Sequence, residues 1–294
     1  MNGLQLKKLE NGENKEDKNC KKSINLTPIE RDMKSIIFYS KSKDRITFAS
    51  QVIAHFKAKL TGKILIKVNL VSNEPYPTTT HPILLETVLK TLKGLDLVVG
   101  DAHAVDFKNF QVEDSPLFQI CEKYDVPFID FYQTEMQTLK SPREYEFTAT
   151  SYPFSCNYII SLPVLKSHMQ VHMSGALKNA FGYLNKRDRI LMHINKKNIH
   201  QGIAELNTFF KPNLTIMDAI ETWIEAQEVR HGGIKQNLGY LMAGEDPVAL
   251  DIFSFSLLKK ISPTWKMNMP QDIPYIRYAL DFKIGNQDYQ AQEL

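Results

Sequence analysis

What most constrains this chain is an alternation along its first half, in which an apolar run too short for a helix precedes apolar residues at helical spacing. SIIFYS (35–40) leads into Ile46, Ala49, Val52, Ile53, Phe56 and Leu60. KILIKVNLV (63–71) leads into a helix entered at Pro82, with Ile83, Leu84, Val88, Leu89 and Leu92 on one side, and LDLVVGD (95–101) follows. Strands separated by helices pair in parallel, because a crossover and not a tight turn joins them. Further on, SPLFQICEKYD reads as a helix and VPFIDF as a strand. Residues 132–156 hold alternating stretches such as EYEFTAT that suit a small hairpin or edge. NYIISLPVL (157–165) reads as a buried strand, with a helix starting near Ser174 and another around 198–210. NLTIMDA (213–219) and NLGYLMAG (237–244) read as extended, and a long helix starts at Pro247. The expected architecture is α/β, a mostly parallel sheet with helices on both faces and a small irregular insertion in the middle.

Composition bounds the class. The 294 residues carry a formal net charge of +3 and are 43% hydrophobic, enough for a substantial core and far from a polycation or an acidic tail. Residues 1–33 cluster Lys, Glu, Asp and Asn with few apolar groups, a composition expected of a disordered arm. Residues 34–294 read as a single α/β domain, bilobed if the chain breaks near 132–156. No run reaches the ~18 apolar residues needed to cross a bilayer, and the start lacks an apolar leader, so a cytoplasmic protein is expected. Cys20, Cys121 and Cys156 form no C-x-x-C, which leaves no disulfide framework and no iron–sulfur cluster motif.

Ligands of open parallel sheets settle beyond the carboxyl ends of the strands. There the sequence places Asn69, Thr78, Thr79, Thr80 and His81, then Asp101 and His103, then Lys166, His168 and His172. Later strands add Asp218 with Glu221, and Glu245 with Asp246. Loops are polar in any case, and Asp246 before Pro247 is well explained as a helix cap. His81 before Pro82 is an unusual cap, which marks it as a candidate acid or base. Residues 161–200 carry seven cations against the single acid Asp188, together with four histidines. A basic block of this kind suits an anion, held by Lys166 and Lys178 and by free N–H groups of a helix beginning at Ser174, or else a solvated face. His168-x-x-x-His172, if helical, sets two imidazoles on one face, a zinc-compatible spacing with His193 as a third ligand. A magnesium site at Asp218 and Glu221 is a weaker option. The dinucleotide, P-loop and nucleophile-elbow fingerprints are absent.

IKVNLVS (66–72), THP (80–82), VVGDA (98–102), LPVLKSHMQVHMSGALKNAFG (162–182), KPNLTIMDAIE (211–221) and GEDPVALD (244–251) together resemble the family catalogued as domain of unknown function 362. Members are often joined to ferredoxin-type iron–sulfur modules, but this chain has no cysteine ladder after residue 156. The order His168, Gly175, Lys178, His193 is more distantly similar to nickel-pincer lactate racemase. That resemblance implies an acid/base role for His168, cofactor attachment at Lys178 and metal ligation by His193, although Ala-Leu-Lys-Asn stands where a denser glycine turn is expected.

Two readings follow. In the first, a small carboxylate or phosphate metabolite sits in a cleft lined by Asn69, His81, Asp101, Lys166, His168, Lys178 and Asn179; the lysines hold the anion and His168 or His81 moves a proton. In the second, the basic block docks on an iron–sulfur protein, which requires Lys186, Arg187, Lys196 and Lys197 to form an exposed patch and Lys166, His168 and Lys178 to form no pocket. Nucleic acid ranks last, since only Phe181 and Tyr183 are available for stacking in the block. The enzyme reading requires Asn69, Asp101, Lys166 and Asp218 to converge at one sheet edge, with Val68, Val99 and Ile160 buried behind them.

Overall fold

The computed structural model describes residues 34–106 and 110–294; the arm expected over 1–33 lies outside them. The described residues form twelve strands and seven α-helices. In chain order they run β1 (Ser35–Ser40), α1 (Arg45–Phe56), β2 (Ile64–Lys67), α2 (Pro82–Thr91), β3 (Leu97–Asp101), α3 (Pro116–Lys123) and β4 (Phe128–Asp130). Next come β5 (Met136–Lys140), β6 (Glu146–Thr150), β7 (Tyr158–Ser161), β8 (Lys166–His168), β9 (His172–Ser174), α4 (Lys186–His193) and α5 (Ile199–Phe209). The chain finishes with β10 (Leu214–Ile224), β11 (Ile234–Gly244), α6 (Pro247–Ile261), α7 (Pro274–Asp281) and β12 (Tyr289–Glu293).

Eight strands make one sheet in the order β12-β1-β11-β10-β7-β2-β3-β4. All neighbours are parallel except β11, which runs against both β1 and β10. Ile66 stands between Val99 of β3 and Ile160 of β7 in register. Both faces of these strands are covered, which is why their sequences are apolar at consecutive positions rather than alternating. Ile64, Ile66, Val68, Val99 and Ile160 pack on α1, α2 and α3, while Leu65, Val98 and Ile159 belong to the opposite core with α5, α6 and α7. The insertion at 132–156 contains the two-stranded antiparallel sheet β5–β6, as the alternation in EYEFTAT suggests.

Two local expectations fail. Residues 166–174 form the hairpin β8–β9, in which His168 and His172 are cross-strand partners, so they do not share a helical face. The helix expected near Ser174 is a 3-10 segment, Leu177–Tyr183, preceded by a tight turn. The N–H groups of Ala176 and Leu177 in that turn donate to the Asp251 carboxylate at 2.6 and 3.2 Å, so the anion they hold belongs to the protein itself. No helix among the described residues is long and apolar enough to cross a membrane.

Candidate functional site

The chain runs from β2 outward to β3 and β4, then returns to lay β7 on the other side of β2. The strand order therefore reverses between β2 and β7, where the loops leaving the two carboxyl ends diverge and open a crevice. Asn179 ties the two ends together, its amide donating to Ser161 Oγ at 2.8 Å and to the Lys67 carbonyl at 3.4 Å. In front of them lies a cavity of about 480 Å³. Its walls come from the ends of β2 and β3, the β8–β9 hairpin, the 3-10 segment, α4 and the loop between β10 and β11.

Of the residues expected from sequence, Asn69, Asp101, Lys166, His168, Lys178, Asn179 and His193 line this cavity. His81 does not: it caps α2, Nδ1 accepting from the Ile83 N–H at 3.1 Å, with its ring against Tyr76. Asp218 is also elsewhere, accepting from Arg45 Nε at 2.5 Å and from the Tyr76 hydroxyl at 2.7 Å, while Glu221 pairs with Lys235. These engagements leave no shared carboxylate pair for magnesium, and the described residues contain no cluster of three His, Cys, Asp or Glu side chains placed to hold a metal ion. The convergence therefore holds for three of the four strand-end residues named for it.

The floor is an ion pair that the sequence did not single out. Lys67 Nζ donates to Asp101 Oδ1 at 2.7 Å and to the Val68 carbonyl, and Asp101 also accepts from the N–H groups of Leu70 and Ala102. Lys67 is 1% exposed and its ammonium lies over the rings of Tyr183 and Phe131 at 5.4 and 6.0 Å. Gly182 faces this pair so closely that a Cβ there would stand 2.1 Å from Asp101 Oδ1. Arg189, also missed, is buried and donates to the carbonyls of Leu184, Ala102, His103 and Gly182, pinning the loop after β3 to the end of the 3-10 segment. Beyond it, Arg230 pairs with Glu228 and Asp106 at the outer wall.

Among the described residues three cations of the cavity have no carboxylate partner: Arg189, which is spent on four carbonyls, and Lys166 and Lys178. Lys166 Nζ donates to the Thr78 carbonyl at 2.6 Å, and burial lowers it from 10.5 to about 8 against the attraction of Glu228 and Glu74. Lys178 Nζ, enclosed by protein but open to the cavity, rests 4.8 Å from the Phe181 ring centroid. Burial, then the charges of Lys166 and Arg189, lower it to about 7.

Of the three imidazoles that line the cavity, His168 and His193 are held in opposite tautomers. His168 Nδ1 accepts from the Gln170 N–H at 3.2 Å, so the neutral ring carries its proton on Nε2 and is a hydrogen-bond donor. Burial and the charge of Lys178 keep it well below its ordinary value and therefore neutral. His193 Nδ1 meets the Arg189 carbonyl at 2.7 Å, and since a carbonyl only accepts, Nε2 is left with a lone pair. His168, expected to act as an acid or base, is thus a donor, and a free ring lone pair belongs to His193 at the rim. That nitrogen offers one lone pair to a metal ion, and Lys178 and His193 line the same cavity. Of the basic block, Lys197 pairs with Asp188 and Lys186 lies over the Tyr132 ring, while Arg187 and Lys196 are exposed.

Among solved structures, the lactate racemase apoprotein from Thermoanaerobacterium thermosaccharolyticum has 12% identity and a TM-score of 0.45, over 72% of this chain and 54% of that one. A protein from Thermotoga maritima has 14% identity and a TM-score of 0.43, over 74% and 56%. A thylakoid-associated protein of Synechocystis sp. is 24% identical over 209 residues, covering 67% of this chain and 63% of the relative, so the match spans less than two thirds of that relative's length. The profile described as domain of unknown function (DUF362) matches residues 64–256, which takes in β2 through most of α6 and every cavity-lining residue named above. The chain belongs to the DUF362 family.

Proposed function

We propose that the cavity at the β2–β7 reversal binds a small anionic metabolite, a carboxylate or phosphate, between Lys166 and Lys178. The observation that carries this reading is the imbalance of partners: Lys67 has one carboxylate and Arg230 two, Arg189 has four carbonyls, and among the described residues Lys166 and Lys178 have no carboxylate partner. Two enclosed ammonium groups repel one another, and an anion between them removes that repulsion while supplying the hydrogen bonds that water is poorly placed to give. In such a setting the interaction is far stronger than at a solvated surface, where an ion pair contributes only about 0–1 kcal/mol. The same cavity supports this reading over docking of an iron–sulfur partner, because Lys166, His168 and Lys178 do line a pocket. His168 Nε2–H then donates to the bound group and His193 Nε2 is the base available to it.

The test is titration calorimetry of the parent and of Lys178→Met against acetate, lactate, pyruvate and inorganic phosphate. At least one probe binds the parent, and the variant weakens it about ten- to a hundredfold, the loss of one charge-assisted hydrogen bond of roughly 1.5–3 kcal/mol. The same ligand bound with the same affinity by both proteins defeats the assignment.

A further inference from the structure

Lys166 and Lys178 are both cations of one cavity, but they are not equivalent. Lys166 is committed by its hydrogen bond to the Thr78 carbonyl, an acceptor that favours its protonated form. Lys178 has no oxygen or nitrogen partner among the described residues and stands on the face of Phe181. Its charged neighbours across the cavity are Lys166 and Arg189, with Glu228 as the opposing carboxylate. An amine placed beside a fixed cation, in a site that shields it from bulk water, is the arrangement that frees a lysine lone pair for attack on carbonyl carbon. The lowering of Lys178 to about 7 agrees with that geometry, since a good fraction is then unprotonated near neutrality. The remaining requirement is a donor for the carbonyl oxygen, and His168, fixed as the Nε2–H tautomer, is a neutral one in the same cavity.

We infer that the anion is a 2-oxo carboxylate and that Lys178 Nζ condenses with its carbonyl carbon. This rests on the anion-binding reading above and adds the substrate class. The carboxylate pairs with Lys166; the Lys178 lone pair forms the C–N bond as the carbonyl oxygen takes a proton, with His168 Nε2–H polarising it. The resulting carbinolamine loses its hydroxyl with a further proton as water, leaving an imine, so that one amine and one ketone give one imine and one water with no change of oxidation state.

The experiment is reductive trapping: the parent is incubated near neutral pH with pyruvate and cyanoborohydride, then analysed by intact mass and peptide mapping, beside calorimetry with pyruvate alone. The expected result is a single adduct on Lys178, a mass gain equal to pyruvate less one oxygen atom, and its loss in Lys178→Arg, which keeps the charge but cannot condense. Peptide mapping of the parent decides the point even where the variant folds poorly. Pyruvate binding without an adduct on Lys178, or an adduct spread over exposed lysines such as Lys59, overturns the imine while leaving anion binding intact. Absence of binding by every carboxylate and phosphate probe overturns both.

Discussion

Lys67 shows how much of the site depends on a charge that never meets solvent. Among the described residues its only carboxylate partner is Asp101, and two aromatic faces lie over the ammonium. Lys67→Met removes one partner and leaves Asp101 buried beside it, so chemical denaturation should show a loss of about 3–5 kcal/mol; a loss below about 1 kcal/mol would show the pair to be dispensable. Lys178 leaves a different signature. Its folded value of about 7 lies below the 10.5 of an ordinary lysine, so between those pH values the unfolded chain holds a proton that the folded protein has released. Stability of the ligand-free parent relative to Lys178→Met should therefore rise with pH across that window and level off below about 7, where both states are charged and the cost of burying the ammonium is complete. Paired urea titrations over a pH series check this, and a difference that stays flat speaks against it. Asp101 and Lys166 were legible as polar residues at strand ends, and Lys178 as a member of the basic block beside a glycine turn. Lys67 was not, because inside ILIKVNL it reads as one more strand position. The signal that could have found it is the alignment of ILIK on β2 with LVVG on β3, which sets Asp101 one residue beyond the register partner of Lys67 on the adjacent parallel strand.

The elements around the cavity are fixed to the sheet by caps and clamps as well as by apolar packing. Asp251 on α6 accepts from Ala176 and Leu177 with its two oxygens, and Gly175 lies so close that a Cβ would fall 2.2 Å from Oδ1. Burial raises this carboxyl to about 7, yet the two N–H donors require an acceptor on each oxygen. Asp251→Asn turns one of those oxygens into a donor facing a donor, and a loss of roughly 1–3 kcal/mol is expected in denaturant unfolding, together with weaker anion binding as the 3-10 segment carrying Lys178 loosens. A variant as stable as the parent would show that the clamp does not hold the turn. The strands of the first half and the insertion hairpin were legible because apolar runs and alternation are local signals. The β8–β9 hairpin was not: KSHMQVHMS contains no Gly, Pro, Asn or Asp, and the left-handed residue is His172, the first of β9 just after the turn, at φ 68°. The i, i+4 spacing of the two histidines, read as helical, is a three-residue turn closing a cross-strand pair.

At the scale of the molecule, function is placed by topology. The reversal between β2 and β7 gathers side chains from segments as distant in sequence as Lys67 and Arg230 into one pocket, while Asp218, carried farther along the sheet on β10, is bound by Arg45 and Tyr76 instead. No reading of single strands separates the fates of Asp101 and Asp218, since both end apolar runs and only strand order and the loops that follow decide which faces the crevice. Lys166 and Lys178 are proposed to form an anion site that the described residues leave without a carboxylate. The site is tested most directly by following their side-chain resonances against pH by NMR, assigned with Lys→Arg variants, alone and saturated with lactate or inorganic phosphate. Midpoints near 8 for Lys166 and near 7 for Lys178 are expected without ligand, both moving up when an anion is bound. Two lysines titrating at the ordinary 10.5 and indifferent to either anion would contradict it.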